Sequence, residues 1–358
     1  MSIKKIAKEA GVSTATVSRV LNNPGYKCSS EELRERIWKI ARELNYMPNE
    51  AARNLKKGIT DTSQKVWYLD VLMTRTGNLE TDPFFSELLR VIESEIHRQG
   101  CILMHIFHQP LFSNDRKCRT ENIDKVIAQM EPDGDIRSDG LIIIGKCNDN
   151  VLKKLSAKYK SIVSVNRNST NYLVDEVICD GKRIAALAVE YLIGLGHRKI
   201  GYVGDCHNES RYKGYQDTLF HYGIDMDISY VIEAEHTEAE GYAVMERLIQ
   251  RGDAPTAIYC ANDMIAIGML KCLNKYKNRY YVPSIISSDD IEEAQYTKPM
   301  LTSVRLPKEE MGKFALYMLV DRLSGGHKGI VRTELEGKLM IRESCTLVEN
   351  ANRMEYYI

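Results

Sequence analysis

The sequence contains no apolar run approaching the roughly 18 residues of a membrane span, and Met1 opens straight into a polar amphipathic pattern instead of a signal peptide. A cytoplasmic protein with no membrane partner is expected. The nine cysteines include no CxxC pair. Cys101, His105, His108 and Cys118 come nearest to a zinc set, but the first three fall in a strand-like run with mixed facing. Neither a metal nor a cofactor is expected, and the thiols read as buried or free. Enzyme signatures are missing too: no nucleophile elbow, no P-loop and no HExxH. Gly194-Leu195-Gly196 precedes a strand instead of following one and lacks the third glycine of a dinucleotide fingerprint. An enzyme is therefore not expected.

The chain also has no net charge, which by itself argues against a nucleic-acid partner. That average hides an asymmetry. Through Gly58, twelve Lys and Arg face six Glu, so this head carries +6 and the rest −6. A basic head on an acidic body is the pattern of a part that meets polyanions and a part that does not. At 358 residues, two or three structural units are expected.

In the head, Ile3, Ile6, Ala7 and Ala10 lie at helical spacing, and Gly11 ends that helix. Ser13 caps a second helix beginning at Thr14. On a helical wheel, Thr14, Ala15, Ser18, Arg19 and Asn22 share an arc of about 140°, opposite Val17, Val20 and Leu21. Small side chains let a helix sit deep in a DNA major groove, where Arg reaches guanine and phosphate and Ser or Thr reach base edges or backbone. A third helix opens at Ser29, with Glu32 completing a capping box and Leu33, Ile37, Ile40, Ala41 and Leu44 as its core stripe. The alternative is a generic three-helix bundle with a solvated polar face. Basic excess and the small-residue face favour a helix-turn-helix domain over residues 1–47.

Residues 49–58 then read as about two turns of helix, with Asn49 as cap and Gly58 as stop. A helix that short is marginal in water on its own. It is expected to form only when something else holds it.

The run from Ile3 to Asn22 closely resembles the opening of the lactose/galactose repressor (LacI/GalR) family, and Tyr46-Met47-Pro48-Asn49 with Ala52-Arg53-Asn54-Leu55 resembles its hinge. The resemblance implies that Thr14 and Ala15 begin a recognition helix, with Ser13, Thr16, Ser18, Arg19 and Asn22 adding base or phosphate contacts. It also implies a hinge helix over 48–58 that enters the minor groove through Asn49, Ala52, Arg53, Leu55 and Lys56. There Leu55, paired across a dimer, would wedge open a base step and bend the duplex. The implied partners are a palindromic double-stranded DNA operator and a second copy of the chain, in a bacterial cytoplasm and on the nucleoid when bound.

After a linker over 59–65, strand-like and helical runs alternate, which predicts parallel sheets wrapped by helices and, over this length, two lobes. The expected core is 66–349, with one lobe at about 66–165 plus 303–325, the other at about 166–302 plus 326–349, and a tail at 350–358. Ligands in such sheets bind beyond the carboxyl ends of strands. Asn166-Arg167, Arg211, Asn262-Asp263 and Asp289-Asp290 fall at or just past four such ends. Some of them read equally as helix caps, Asn262 above all. Together they look like a polar pocket, since an Arg fork and an Asp pair of acceptors grip neighbouring sugar hydroxyls. Phe84 and Phe85 supply either an apolar wall or plain core.

Looser matches, including Asp82-Pro83-Phe84-Phe85, Arg211-Tyr212-Lys213-Gly214-Tyr215 and Ala261-Asn262-Asp263-Met264, resemble that family's periplasmic-binding-protein-like core. The resemblance implies that Arg211, Asn262 and Asp289 touch an effector, while Asn166 stands where Asp is common. The short tail shows no leucine heptads, so the extra tetramerisation helix of the lactose repressor has no counterpart. The expected function is a dimeric, sequence-specific repressor controlled by a mono- or disaccharide bound between the lobes. The alternative effector is a purine or nucleoside. The sequence leaves inducer and corepressor control equally open.

Overall fold

The computed structural model describes residues 3–22, 30–43, 66–74, 82–113, 117–130, 137–166, 168, 170–207, 209–276 and 281–350. The chain divides into two compact units, Met1–Lys65 and Val66–Ile358.

In the first unit, α1 (Ile3–Ala10), α2 (Thr14–Asn22) and α3 (Glu31–Glu43) enclose a core of Ile6, Ala7, Ala10, Val17, Val20 and Ile37. Gly11 turns the chain at φ +68°, and the Val12 amide donates to the Ala7 carbonyl at 3.0 Å, closing α1. Ser13 Oγ accepts from the Thr16 amide at 3.1 Å and starts α2. The cap of α3 is Ser30, whose Oγ accepts from the Leu33 amide at 3.2 Å, rather than Ser29, which lies outside the described residues. Helices of this length gain little from propensity alone, so shared burial of their apolar stripes holds them.

The second unit contains two sheets. The first joins β1 (Tyr68–Met73), β2 (Ile102–His108), β3 (Gly140–Ile144), β4 (Ser161–Asn166), β5 (Asp175–Ile178) and β11 (Arg332–Glu334), in the order β11-β5-β4-β3-β1-β2, all parallel. The second joins β6 (Ile200–Gly204), β7 (Val231–Glu233), β8 (Ala257–Cys260), β9 (Ser284–Asp289), β10 (Thr302–Arg305) and β12 (Lys338–Met340), in the order β12-β10-β9-β8-β6-β7, with β12 antiparallel. Between them run α4 (Pro83–Arg98), α5 (Lys117–Thr120), α6 (Ile123–Ala128), α7 (Asp149–Ser156), α8 (Gly181–Gly194), α9 (Ser210–His221), α10 (Glu238–Ile249), α11 (Asp263–Tyr276) and α12 (Lys308–Leu323).

Every residue of β3, Gly-Leu-Ile-Ile-Ile, is buried, as expected of a parallel strand covered on both faces. On the second sheet, α10 and α11 touch backbone to backbone. A Cβ on Gly241 would stand 2.0 Å from the Ile265 carbonyl oxygen, and one on Gly268 2.0 Å from that of Glu238.

The chain crosses between the sheets three times: β5 to α8, β10 to α12, and β11 to β12. These crossings correct the expected lobe limits. Residues 175–178 pair with β4 in the first sheet, 302–305 with β9 in the second, and 332–334 with β5 in the first. The misassigned strands are only three or four residues long, and β5 and β11 carry acids and an arginine, so neither shows an apolar period.

A charged clasp ties the connection between α12 and β11 to β5. Asp175, 1% exposed, accepts from Arg322 Nε at 2.5 Å and from its terminal nitrogen at 2.6 Å, and from the Val331 amide at 2.8 Å. His327 reaches Asp321 through Nδ1 at 2.6 Å and Asp175 through Nε2 at 2.9 Å. Asp321 first and Asp175 second raise the His327 pKa above its ordinary 6.5. The protonated ring thus stabilises the fold fully below that ordinary value, and the contribution is lost as pH rises through the raised folded value. Thermal melts of parent and His327→Gln, from about pH 5.5 to about pH 8.5, should show the largest gap in melting temperature at the acid end. A gap that does not change with pH would show that the ring charge plays no part.

Candidate functional site

Two places concentrate exposed or polar chemistry. The first is α2. Its Val17 and Val20 are buried in the head core, while Thr14 and Arg19 are exposed. Ser13 and Thr16 are partly committed to the helix start: their hydroxyls lie 2.9 Å apart, and Ser13 holds the Thr16 amide. Ala15 and Ser18 lie within α2, and Asn22 is its last residue. The hinge residues Asn49, Ala52, Arg53, Leu55 and Lys56 lie outside the described residues.

The second place is the carboxyl end of the second sheet. Arg211, in the first turn of α9, is fully buried. Its Nε donates to Glu209 Oε1 at 2.9 Å, one terminal nitrogen donates to the Ala261 carbonyl, and the other lies 3.1 Å from His236 Nε2. Burial works against the charged guanidinium. Glu209, then Asp289, outweighs it and raises the pKa of Arg211 further. Asn262 has two roles: Oδ1 accepts from the Ile265 amide at 3.1 Å to cap α11, and Nδ2 donates to the His236 carbonyl at 3.4 Å. The cap reading of Asn262 holds, and the other end of its amide reaches the segment that carries His236.

β9 ends with two successive non-glycine residues at positive φ, Asp289 (118°) and Asp290 (49°). Such backbone costs of order 1–3 kcal/mol per residue. The turn sends the two carboxylates to different partners. Asp290 meets Arg305 Nε at 2.6 Å and Arg342 at 2.5 Å. Asp289 acts on Arg211 and on the neighbouring Asp263, which burial first, and Asp289 second, push up to about 7. Asp263 is fully buried and takes hydrogen bonds from Ser287 and Ser303 hydroxyls at 2.5 and 2.6 Å and from the Ile291 amide at 2.8 Å.

Phe84, Phe85 and Asn166 gather separately. The two rings meet edge to face, with centroids 5.2 Å apart, and together with Leu88, Val165 and Met311 they and Asn166 line a narrow crevice. Both phenylalanines are buried, so they are core and wall at once. Two residues tie this group to the second-sheet cluster. Lys308 pairs with Glu87, lies 5.8 Å from the Phe84 ring centre, and donates to the Asp289 and Asp290 carbonyls at 3.4 and 3.2 Å. Asn168, two residues past β4, accepts from the Ser210 amide at 3.1 Å.

Sequence reasoning missed Glu209, His236 and Lys308. Glu209 was legible in principle, since a carboxylate two residues ahead of an arginine at a helix start is a cap and an ion-pair partner together. His236 follows β7, which is too short to announce itself. Two of the four residues weighed as zinc ligands do other work: His105 Nδ1 lies 3.0 Å from Asp70, and Cys118 donates to the Leu111 carbonyl. Among the described residues there is no group of three or more metal-binding side chains, and no helix is long and apolar enough to cross a membrane.

Comparison with known proteins places two stretches of the chain in known families. Residues 2–49 fit the family of bacterial regulatory proteins, lacI family, and residues 189–345 fit a periplasmic binding protein-like domain. The HTH-type transcriptional repressor MelR of Bacillus subtilis (strain 168) is 30% identical over 357 residues, covering 96% of this chain and 97% of the repressor. The HTH-type transcriptional repressor PurR of Haemophilus influenzae (strain PittEE) is 29% identical, covering 96% and 98%. The structure of the transcriptional regulator CelR in complex with cellobiose superimposes with a TM-score of 0.64 at 23% identity, covering 96% of this chain and 100% of that one. With a helix-turn-helix head followed by an α/β body of two sheets, parallel but for β12, the chain belongs to the lacI family of bacterial regulatory proteins and is a DNA-binding transcriptional repressor, not an enzyme.

Proposed function

We propose that two copies of this chain bind a palindromic operator through paired α2 helices, and that a mono- or disaccharide held between the two sheets sets the affinity. The observation that carries the effector reading is the cluster of Arg211, Asn262 and Asp289 at the ends of neighbouring strands, joined through Lys308 to the crevice of Phe84, Phe85 and Asn166. Planar and paired hydrogen-bonding groups beside an apolar wall suit a sugar, which offers hydroxyls at its rim and C–H groups on its face. The cellobiose complex of a structural relative supports the same class.

A purine would need an open pair of aromatic faces. Tyr202, Tyr215 and Tyr259 sit near Arg211, but all three are fully buried and packed against one another at centroid distances of 5.5 and 5.8 Å from Tyr202. That favours the sugar. The sugar acts by preferring one arrangement of the sheets, with a differential free energy of roughly 1–3 kcal/mol. The segment 48–58 transmits it, its helix stable only on DNA.

Four outcomes are expected. In thermal-shift screening, members of a sugar panel raise the melting temperature and purines and nucleosides do not; stabilisation by purines alone sinks the sugar reading. Arg211→Ala leaves Glu209 buried without its partner and destabilises the second lobe by about 3–5 kcal/mol. Arg211→Met combined with Glu209→Gln recovers stability in denaturant melts but not sugar binding, and a normal sugar response in this double variant displaces the site. Leu55→Ala weakens operator binding and bending by gel shift about tenfold, as expected for loss of a minor-groove wedge worth roughly 1.4 kcal/mol, while sugar affinity is unchanged. Unaltered operator affinity removes Leu55 from the DNA contact.

A further inference from the structure

Lys308 opens α12, where the second crossing hands the chain from the second sheet back to the first. Its main chain belongs to the first-sheet side, because α12 packs on β3, β4, β5 and α4. The packing against α4 is tight. A Cβ on Gly312, one turn into α12, would stand 2.6 Å from Val91 Cγ1. Helices packed this closely transmit displacement instead of absorbing it. On this helix pair Lys308 meets Glu87 of α4, and its ammonium lies 5.8 Å from the Phe84 ring centre. The side chain is only 13% exposed.

The same ammonium reaches the second sheet. It donates to the carbonyls of Asp289 and Asp290 at 3.4 and 3.2 Å, so its three hydrogens face three acceptors. Those carbonyls belong to the two successive residues held at positive φ. Other ties on this turn come from its own sheet. The Asp290 amide donates to Ser303 Oγ at 3.1 Å and the Ile291 amide to Asp263 at 2.8 Å, while the Asp290 carboxylate meets Arg305 and Arg342. Lys308 adds a tie anchored across the crossing. Strained backbone keeps its shape only while its surroundings over-determine it. Shifting one tie therefore shifts the turn, and with it the carboxylate that acts on Arg211.

We infer that Lys308 is a positioning residue of the effector site, passing the orientation of the first sheet and α4 to the Asp289 carboxylate on the second. Rotation of one lobe about the crossings carries the ammonium toward or away from the two carbonyls. The inference rests on the reading above only in taking Asp289 as an effector contact.

Hydrogen-exchange mass spectrometry of the full chain, with no sugar present, tests it at the Asp290 and Ile291 amides. Lys308→Met should speed their exchange about tenfold, the effect of losing charge-assisted hydrogen bonds that hold a local structure closed. Lys308→Arg, which keeps donors for both carbonyls, should stay near the parent rate. Glu87→Gln lies on α4 and touches neither amide, yet it frees the ammonium and should speed the same exchange about threefold. In the Lys308→Met background Glu87→Gln should add nothing, because the two act through one contact. An unchanged rate in Lys308→Met, no effect of Glu87→Gln, or additive effects would each overturn the assignment. So would faster exchange across the whole second sheet, which marks general destabilisation. Since no sugar enters, a failed sugar panel leaves this result standing, and unchanged exchange leaves the sugar reading standing.

Discussion

A guanidinium with no exposure to water constrains the whole second sheet. Removing such a charge from solvent costs several kcal/mol unless its donors are all met. The partners of Arg211 come from three strand exits: Glu209 after β6, His236 after β7 and the Ala261 carbonyl after β8. Satisfying one side chain therefore fixes the paths of three loops. Asn262 extends the network, because it binds the His236 carbonyl with one end of its amide and starts α11 with the other. The strained end of β9 brings Asp289 within electrostatic range of the same arginine. A polar site built this way is preorganised, and its groups hold their positions through neighbours that are themselves held.

The two units were legible in the sequence to different degrees. The helical head was read from periodicity, glycine and serine, because each signal there is local: Gly11 turns where it was expected to, and Ser13 caps. The cap of α3 slipped by one residue, since adjacent serines offer the same hydroxyl and only the helix register selects Ser30. Long buried strands such as β3 announced themselves by unbroken apolar runs. β5 did not. Its Asp175 and Glu176 are charged yet buried, made tolerable by Arg322, His327 and Thr170 from elsewhere in the chain. No local pattern reveals a carboxylate whose partner lies 147 positions away.

The candidate site follows the same division. Arg211, Asn262 and Asp289 could be singled out because each stands at a strand end or a few residues past one. That the arginine is already engaged by Glu209 and His236 is a property of three loops meeting, which spacing along one segment cannot express. Phe84 and Phe85 were ambiguous between wall and core, and the packing makes them both: buried in the first sheet's cluster, and lining a crevice with Asn166.

The second crossing has a consequence for the order of assembly. The face of β3, β4 and β5 is covered by α12, and the edge beyond β5 by β11, yet both elements are encoded after the entire second sheet except β12. A chain emerging from N-terminus to C-terminus has its first sheet unfinished, with apolar surface waiting, until nearly all of it has been made. The two lobes cannot mature as successive beads. They close together, late, through contacts distant in sequence, the kind of topology that folds slowly and leaves a growing chain exposed to aggregation in the interval.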